Sequence, residues 1–176
     1  MELENLTFGI IGLGSIGYLV AKIAKGFGMR VQSYSPHIKQ GEKYSFINQV
    51  DINTVLRTSD IISLHCPATS ETRDLINSET LDMMKSGVII LNCARGDVIN
   101  EADLLNSLNS GKVYAAGLDV LKGEPLKVPN SLLEHPRVVA TEHIAWATPE
   151  ARIRSVRVAC DNFLNWRKGY PISVIS

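Results

Sequence analysis

Residues 9–17, GIIGLGSIG, contain Gly-x-Gly-x-x-Gly at Gly12, Gly14 and Gly17. Glycine at these spacings suits a backbone that must come close to a diphosphate. Gly12 permits a tight turn, Gly14 keeps a side chain out of the anion's way, and Gly17 lets a helix pack closely on a strand. The N–H groups of the first helical turn, at Ser15 and Ile16, then face the phosphates. Three later segments carry groups able to handle charge and protons. LNCARGDVIN holds Arg95, AAGLDVLKGEPL holds Asp119 and Glu124, and VVATEHIAWATPEAR holds His143. A guanidinium offers a planar fork suited to a carboxylate, and an imidazole exchanges a proton near neutral pH. Plainer readings stand beside these. The glycines form a turn without a ligand, Arg95 caps a strand end or pairs with Asp97, Glu124 is a surface acid before Pro125, and His143 is structural.

The elements that must position these groups read as alternating strands and helices. Short apolar strands are predicted at 7–12, 30–34, 60–65, 87–92, 113–118 and 137–140. Helices are predicted over 15–27, with Gly28 as the stop, and over 51–57, 78–84, 100–110 and 148–168. Thr148-Pro149-Glu150 is a cap, a first-turn proline and an acid against the dipole. Six strands with helices between most of them predict an α/β fold: a doubly wound parallel sheet of Rossmann type, helices on both faces. No linker or repeat divides the chain, so residues 1–176 read as one dinucleotide-binding domain. In such a sheet ligands bind beyond the carboxyl ends of the strands, where Arg95, Asp119 and His143 fall.

The composition agrees with a globular domain. The chain has 176 residues, 45% hydrophobic and 20% charged, enough to bury roughly 70% of its unfolded surface. Eighteen basic residues balance 18 acidic ones, so no bulk field points to nucleic acid or a membrane surface. No apolar run approaches the ~18 residues of a membrane span, and MELENL resembles no targeting peptide. A cytoplasmic location is expected. Cys66, Cys93 and Cys160 are widely spaced and form no C-x-x-C pair, so no metal site is expected. Cys66 and Cys93 each close an apolar run and read as small buried residues in strands.

One position departs from the NAD pattern. An acid ordinarily ends the second strand and holds the ribose hydroxyls; Ser35 stands there. No Asp or Glu occurs from Gly9 to Gly41, while Arg30, His37 and Lys39 lie close by in the sequence. Losing the acid removes repulsion against a 2′-phosphate, so NADP is as well suited as NAD. The alternative is that the Ser35 hydroxyl serves NAD and that His37 and Lys39 are solvated.

The five segments GIIGLGSIG, SLHCPATSET, LNCARGDVIN, GLDV…EPL and EHIAWATPEAR occur in an order that resembles the nucleotide-binding domain of the D-isomer-specific 2-hydroxyacid dehydrogenases. The resemblance extends over nearly the whole chain, to NWRKGYPISV. It implies hydride transfer between a nicotinamide cofactor and a small 2-hydroxy or 2-keto acid, of the phosphoglycerate or glycerate/hydroxypyruvate kind. It implies an Arg95–Glu124–His143 triad: Arg95 for the substrate carboxylate and keto oxygen, His143 as proton donor and acceptor, Glu124 as the acid favouring the imidazolium. It implies that Asp119 lies near the carboxamide, and that Cys66, Pro67 and Ala94 join the glycine turn, Ser35 and His37 in holding the cofactor. His65 reads as structural. Glu142 stands where the family usually has proline, and Ala145-Trp146 where many members have two glycines.

Family members carry a substrate domain built largely from residues ahead of the fingerprint, so this chain is expected to act as the cofactor half. It is expected to bind a dinucleotide, to turn over 2-keto acids weakly or not at all without the substrate domain, and to form a homodimer. A non-catalytic dinucleotide sensor and an oligomerisation domain with a vestigial site are the alternatives.

Overall fold

The computed structural model describes residues 2–124 and 130–174, which form two compact units divided between Glu142 and His143. The first holds a seven-stranded parallel sheet. Its strands are β1 (Thr7–Ile11), β2 (Arg30–Tyr34), β3 (Asn48–Gln49), β4 (Ile61–Leu64), β5 (Val88–Asn92), β6 (Val113–Leu118) and β7 (Val138–Ala140). They lie in the order β3-β2-β1-β4-β5-β6-β7, so the direction of winding reverses between β1 and β4. Its helices are α1 (Ser15–Gly26), α2 (Ile52–Thr58), α3 (Ser78–Met83), α4 (Glu101–Ser110) and the single turn α5 (Ser131–Glu134). The second unit is chiefly α6 (Pro149–Arg167), started by the Thr148 side chain, which accepts from the Ala151 N–H at 3.3 Å. Among the described residues no helix is long and apolar enough to cross a membrane.

Period-two alternation divides the core between the two faces of the sheet. Phe8, Ile10, Val31 and Ile61 pack with Leu13, Ala21 and Ala24 on the α1 side. Ile11, Ile62, Leu64 and Ile90 pack with Leu56, Leu81, Leu104 and Leu108 on the other. Each such fully buried aliphatic side chain stabilises the fold by about 1.5–3 kcal/mol. Side-chain caps set the helix starts: Asp51 for α2, Asn77 in a reciprocal capping box for α3, Asn100 for α4. Gly28 (φ +76°) and Gly111 (φ +81°) take the left-handed conformation that ends α1 and α4.

Three features differ from the sequence reading. β3 is a strand of two polar residues at the sheet edge, with no apolar signal to announce it. α5 is too short for periodicity. Cys66 is buried and Cys93 exposed, both just past strand ends and not within strands. The buried face of α1 is made of small residues, Gly17, Ala21 and Ala24, while the larger Ile16, Leu19, Ile23 and Phe27 are exposed. Close seating of α1 on the sheet demands the small ones.

At the edge opposite the glycine turn, Asp60 accepts from the Thr7 N–H at 2.8 Å and pairs with Lys85 at 2.8 Å. Burial pushes the Asp60 carboxyl up, but the Lys85 ammonium, the Thr7 N–H and the more distant Arg30 outweigh it, and Asp60 titrates below the usual aspartate value. A carboxyl held lower in the folded than in the unfolded chain stabilises the fold above its unfolded value of ~3.9, and that contribution fades as pH falls through the folded value. Asp60→Asn is expected to cost about 1 kcal/mol near neutral pH. It should also flatten the acid limb of the stability curve below about pH 4; urea melts whose pH dependence is the same for both proteins would contradict this.

Candidate functional site

The turn between β1 and α1 is dictated by close backbone contacts. Gly12 has φ +102°, and a Cβ on it would lie 2.6–2.7 Å from the His65 carbonyl and the Cys66 nitrogen. A Cβ on Gly17 would lie 2.3 Å from the Gly12 carbonyl oxygen. Gly14 differs: its Cβ would meet nothing within 4 Å. It precedes an α1 whose first turn holds no acid and whose cap makes no side-chain hydrogen bond. The first-turn N–H groups have no acceptor within the helix.

Two adjoining cavities open from this turn across the carboxyl ends of the strands, at the reversal between β1 and β4. One, of about 420 Å³, is bounded by Gly12, Gly14, Ser35, Pro36, Lys39 and Thr72 among others. The next, of about 300 Å³, shares His65, Cys66 and Pro67 with it and continues to Ile16, Ala94 and Arg95. Seven of the residues expected to hold a cofactor or substrate (Gly12, Gly14, Ile16, Ser35, Cys66, Pro67 and Ala94) therefore line one trench that ends at Arg95. His37 is exposed and outside that lining, and Arg30 begins β2, at the opposite end of the strand from Ser35.

The His65 ring is partly buried, with Nε2 2.9 Å from Ser63 Oγ, and burial lowers its pKa, so it stays neutral at physiological pH. Burial pushes the Cys66 thiol up, and burial together with the Asp119 charge raises that of Cys93. Neither thiol is primed as a nucleophile.

Beyond Arg95 the strand ends are tied together. Asn92 is fully buried; its amide accepts from the Ala94 N–H at 3.0 Å and donates to the Arg95 carbonyl at 2.9 Å. Its own carbonyl accepts from the Asp119 N–H at 2.9 Å. Asp119 is buried, and its carboxylate accepts from the Thr141 hydroxyl. The exposed Arg95 guanidinium donates to the Ala94 carbonyl at 2.6 Å, while Asp97 is paired with Arg73 at 3.1 Å. A Cβ on Gly96 would lie 2.2–2.5 Å from the Leu121–Lys122 peptide, so the Arg95 turn abuts the loop that carries Glu124. The Glu101 carboxylate accepts from the Lys122 N–H at 2.6 Å and from the Asn130 amide at 3.2 Å, holding that loop on both sides. Glu124 is exposed and accepts from the Leu121 N–H at 2.9 Å. Pro125 and Leu126 of the same motif lie outside the described residues. Arg95 and Glu124 belong to the first unit, and His143 opens the second, half-buried and at φ +53°. Left-handed backbone is uncommon for a residue other than glycine, though histidine is among those enriched there.

The organising roles of Asn92, Glu101 and Thr141 are not legible from the sequence alone. Asn92 and Thr141 stand at or next to strand ends, the only hint available.

A turn of this shape at the reversal of a parallel sheet, leading to an arginine at the next strand end, agrees with the family comparison. Residues 1–145 match the model described as D-isomer specific 2-hydroxyacid dehydrogenase, NAD binding domain. The chain belongs to this family. It is similar to hydroxypyruvate reductase of Blautia hydrogenotrophica, 43% identical over 176 residues, covering 100% of this chain and 55% of the relative. D-3-phosphoglycerate dehydrogenase of Bacillus subtilis is 41% identical over 172 residues, covering 97% of this chain and 33% of the relative. The NAD-complexed D-isomer specific 2-hydroxyacid dehydrogenase of Lactobacillus delbrueckii ssp. bulgaricus superposes with a TM-score of 0.92 at 33% identity, covering 100% of this chain and 57% of that one. An acyclic imino acid reductase in complex with NADPH and D-Arg superposes with a TM-score of 0.91 at 32% identity, covering 100% of this chain and 55% of that one. The chain thus spans from a third to little more than half of these relatives and is the family's NAD-binding domain.

The glycines separate two demands that one substitution each can test. Gly12→Ala is expected to destabilise the fold by about 2 kcal/mol or more, because both its φ and its neighbours forbid a Cβ. Gly14→Val should leave stability within about 1 kcal/mol yet weaken dinucleotide binding at least about tenfold. Thermal melts and fluorescence titration check the pair; equal loss of stability in both variants would make Gly14 a structural glycine instead.

Proposed function

We propose that the chain is the cofactor half of an enzyme that passes a hydride between NAD or NADP and a D-2-hydroxy acid or its 2-keto acid, of the glycerate/hydroxypyruvate or phosphoglycerate type. The observation that carries this reading is Gly14. Its neighbours leave open the space that a side chain would take, at the mouth of a trench ending on Arg95. The N–H groups at Ser15 and Ile16 are placed to take a diphosphate. Ser35 is the residue set against the adenosine ribose; without a carboxylate it admits a 2′-hydroxyl or a 2′-phosphate. Cys66, Pro67 and Ala94 wall the far end, where the nicotinamide, when bound, supplies or accepts the hydride.

In this reading Arg95 releases the Ala94 carbonyl to take the substrate carboxylate, for which a planar guanidinium is suited and an ammonium is not. His143 gives a proton to the keto oxygen during reduction and takes the hydroxyl proton during oxidation. Glu124 is the acid of this triad. Asp119, fixed by Thr141 and Asn92, serves the carboxamide.

Water must be kept from the hydride path, and closure of a second domain over the trench does this in enzymes of two-domain build. The 176 residues by themselves are therefore expected to bind cofactor and to reduce 2-keto acids slowly. The exposed stripe Ile16, Leu19, Ile23 and Phe27 supports a homodimer, and three free cysteines support a reducing, cytoplasmic setting.

Side-by-side fluorescence titration with NADH and NADPH tests the reading. Saturable binding is expected, and Ser35→Asp should shift preference toward NADH by about tenfold. Absence of binding by either would refute the cofactor site, and steady-state reduction of hydroxypyruvate at ordinary enzyme rates would refute the need for a second domain. Light scattering on the same samples should give the mass of a dimer; a monomer at all concentrations would remove that part.

A further inference from the structure

A third cavity, of about 400 Å³, lies on the other side of the glycine turn and shares Leu13, Gly14 and Lys39 with the cavity that holds Ser35. Its remaining wall includes Ser15, Tyr18, Lys43 and Tyr44. The Lys39 backbone and the Lys43 ammonium are held in place. The Lys39 backbone is gripped at both its N–H and its carbonyl by the Gln49 amide, each at 2.7 Å, and Gln49 is fixed to the sheet edge through its pairing with Ser33. The Lys43 ammonium sits 5.5 Å from the Tyr18 ring centre and 4.9 Å from that of Tyr44, two rings packed edge-on at 5.2 Å. Such a cation over aromatic faces is attracted by their quadrupoles. The two-residue strand β3 and the Tyr18–Tyr44 contact thus do more than close the edge of the fold: they set two lysines on a pocket continuous with the ribose end of the trench.

The charges nearby leave this pocket positive. Among the described residues no acid lines it, and the first turn of α1 carries none. Glu42 lies on the exposed turn beside Lys43, and Glu71 lines the neighbouring cavity. Two ammonium groups on one cavity wall repel each other unless an anion joins them. A ribose set against Ser35 directs its 2′ substituent toward the residues that follow β2, and Lys39 is one of them.

We propose that Lys39 and Lys43 form a subsite for the 2′-phosphate of the adenosine ribose, so that the chain prefers NADPH to NADH. The inference rests on the trench being the dinucleotide site and adds the choice between the two cofactors.

Calorimetry with adenosine 2′,5′-bisphosphate and with adenosine 5′-monophosphate reads the subsite without any turnover. The bisphosphate is expected to bind about tenfold or more tightly than the monophosphate. Lys39→Gln and Lys43→Gln should each reduce that advantage several-fold, and together abolish it, with the circular dichroism spectrum unchanged. Lys39→Arg should retain it. Equal affinity of the unmodified chain for the two nucleotides, or an advantage that survives the double substitution, overturns the subsite. Failure of both nucleotides and of NADH to bind overturns the dinucleotide reading itself, and the subsite with it.

Discussion

The contact between Gly12 and the His65–Cys66 peptide is the constraint on which the site depends. It holds the end of β1 against the end of β4 at a distance that excludes a Cβ. The chain therefore leaves β1 by a left-handed step and enters α1 without a side-chain cap. Gly17 completes the arrangement by letting the first turn of α1 press on the Gly12 carbonyl. The consequence is a helix start that borders a cleft at Gly14, where no side chain stands in the way. A dinucleotide fits such a place because phosphate oxygens accept from main-chain donors and need room to approach them.

From that turn the strand order carries the site sideways. β4 and β5 end along the trench, and the ends of β5, β6 and β7 are tied to one another by hydrogen bonds. Asn92 organises the turn that carries Arg95, its carbonyl takes the Asp119 N–H, and Asp119 takes the Thr141 hydroxyl two residues before His143. Buried polar groups satisfied in this way fix positions because every alternative leaves one of them unpaired. Glu101 does the same for the loop of Glu124 from outside the trench. Arg95 and Glu124 are thus exposed on turns anchored beneath them by these hydrogen bonds.

Much of this was legible in the residues. β2 and β6 occupy the predicted spans 30–34 and 113–118, because short β-branched and apolar runs bounded by turns have few other uses. Thr148 placed the start of α6, and the predicted starts of α2, α3 and α4 fall within one residue of the observed ones. The glycine turn was readable because it lies between a strand and a helix. What escaped was structure without a periodic signature. β3 is two polar residues paired with β2, α5 is one turn, and the small-residue face of α1 is hidden behind a more conspicuous apolar stripe that points outward. Proximity along the chain also misled at Arg30, which lies a whole strand away from Ser35. Proximity in space, which brings Lys43 beside Tyr18 and close to Lys39, has no counterpart in sequence spacing.

The central claim is that a dinucleotide lies along the trench from Ser35, over Gly14, to Arg95. Amide chemical shifts of the 19.3 kDa chain, followed by NMR during addition of NADPH, test it most directly. The account predicts saturable shifts at Gly14, Ser15 and Ile16 together with Cys66, Ala94 and Arg95, with little change at Arg30 or Asp60 on the opposite edge. Shifts confined to residues outside the trench, or none at Gly14–Ile16 at saturating nucleotide, would contradict it.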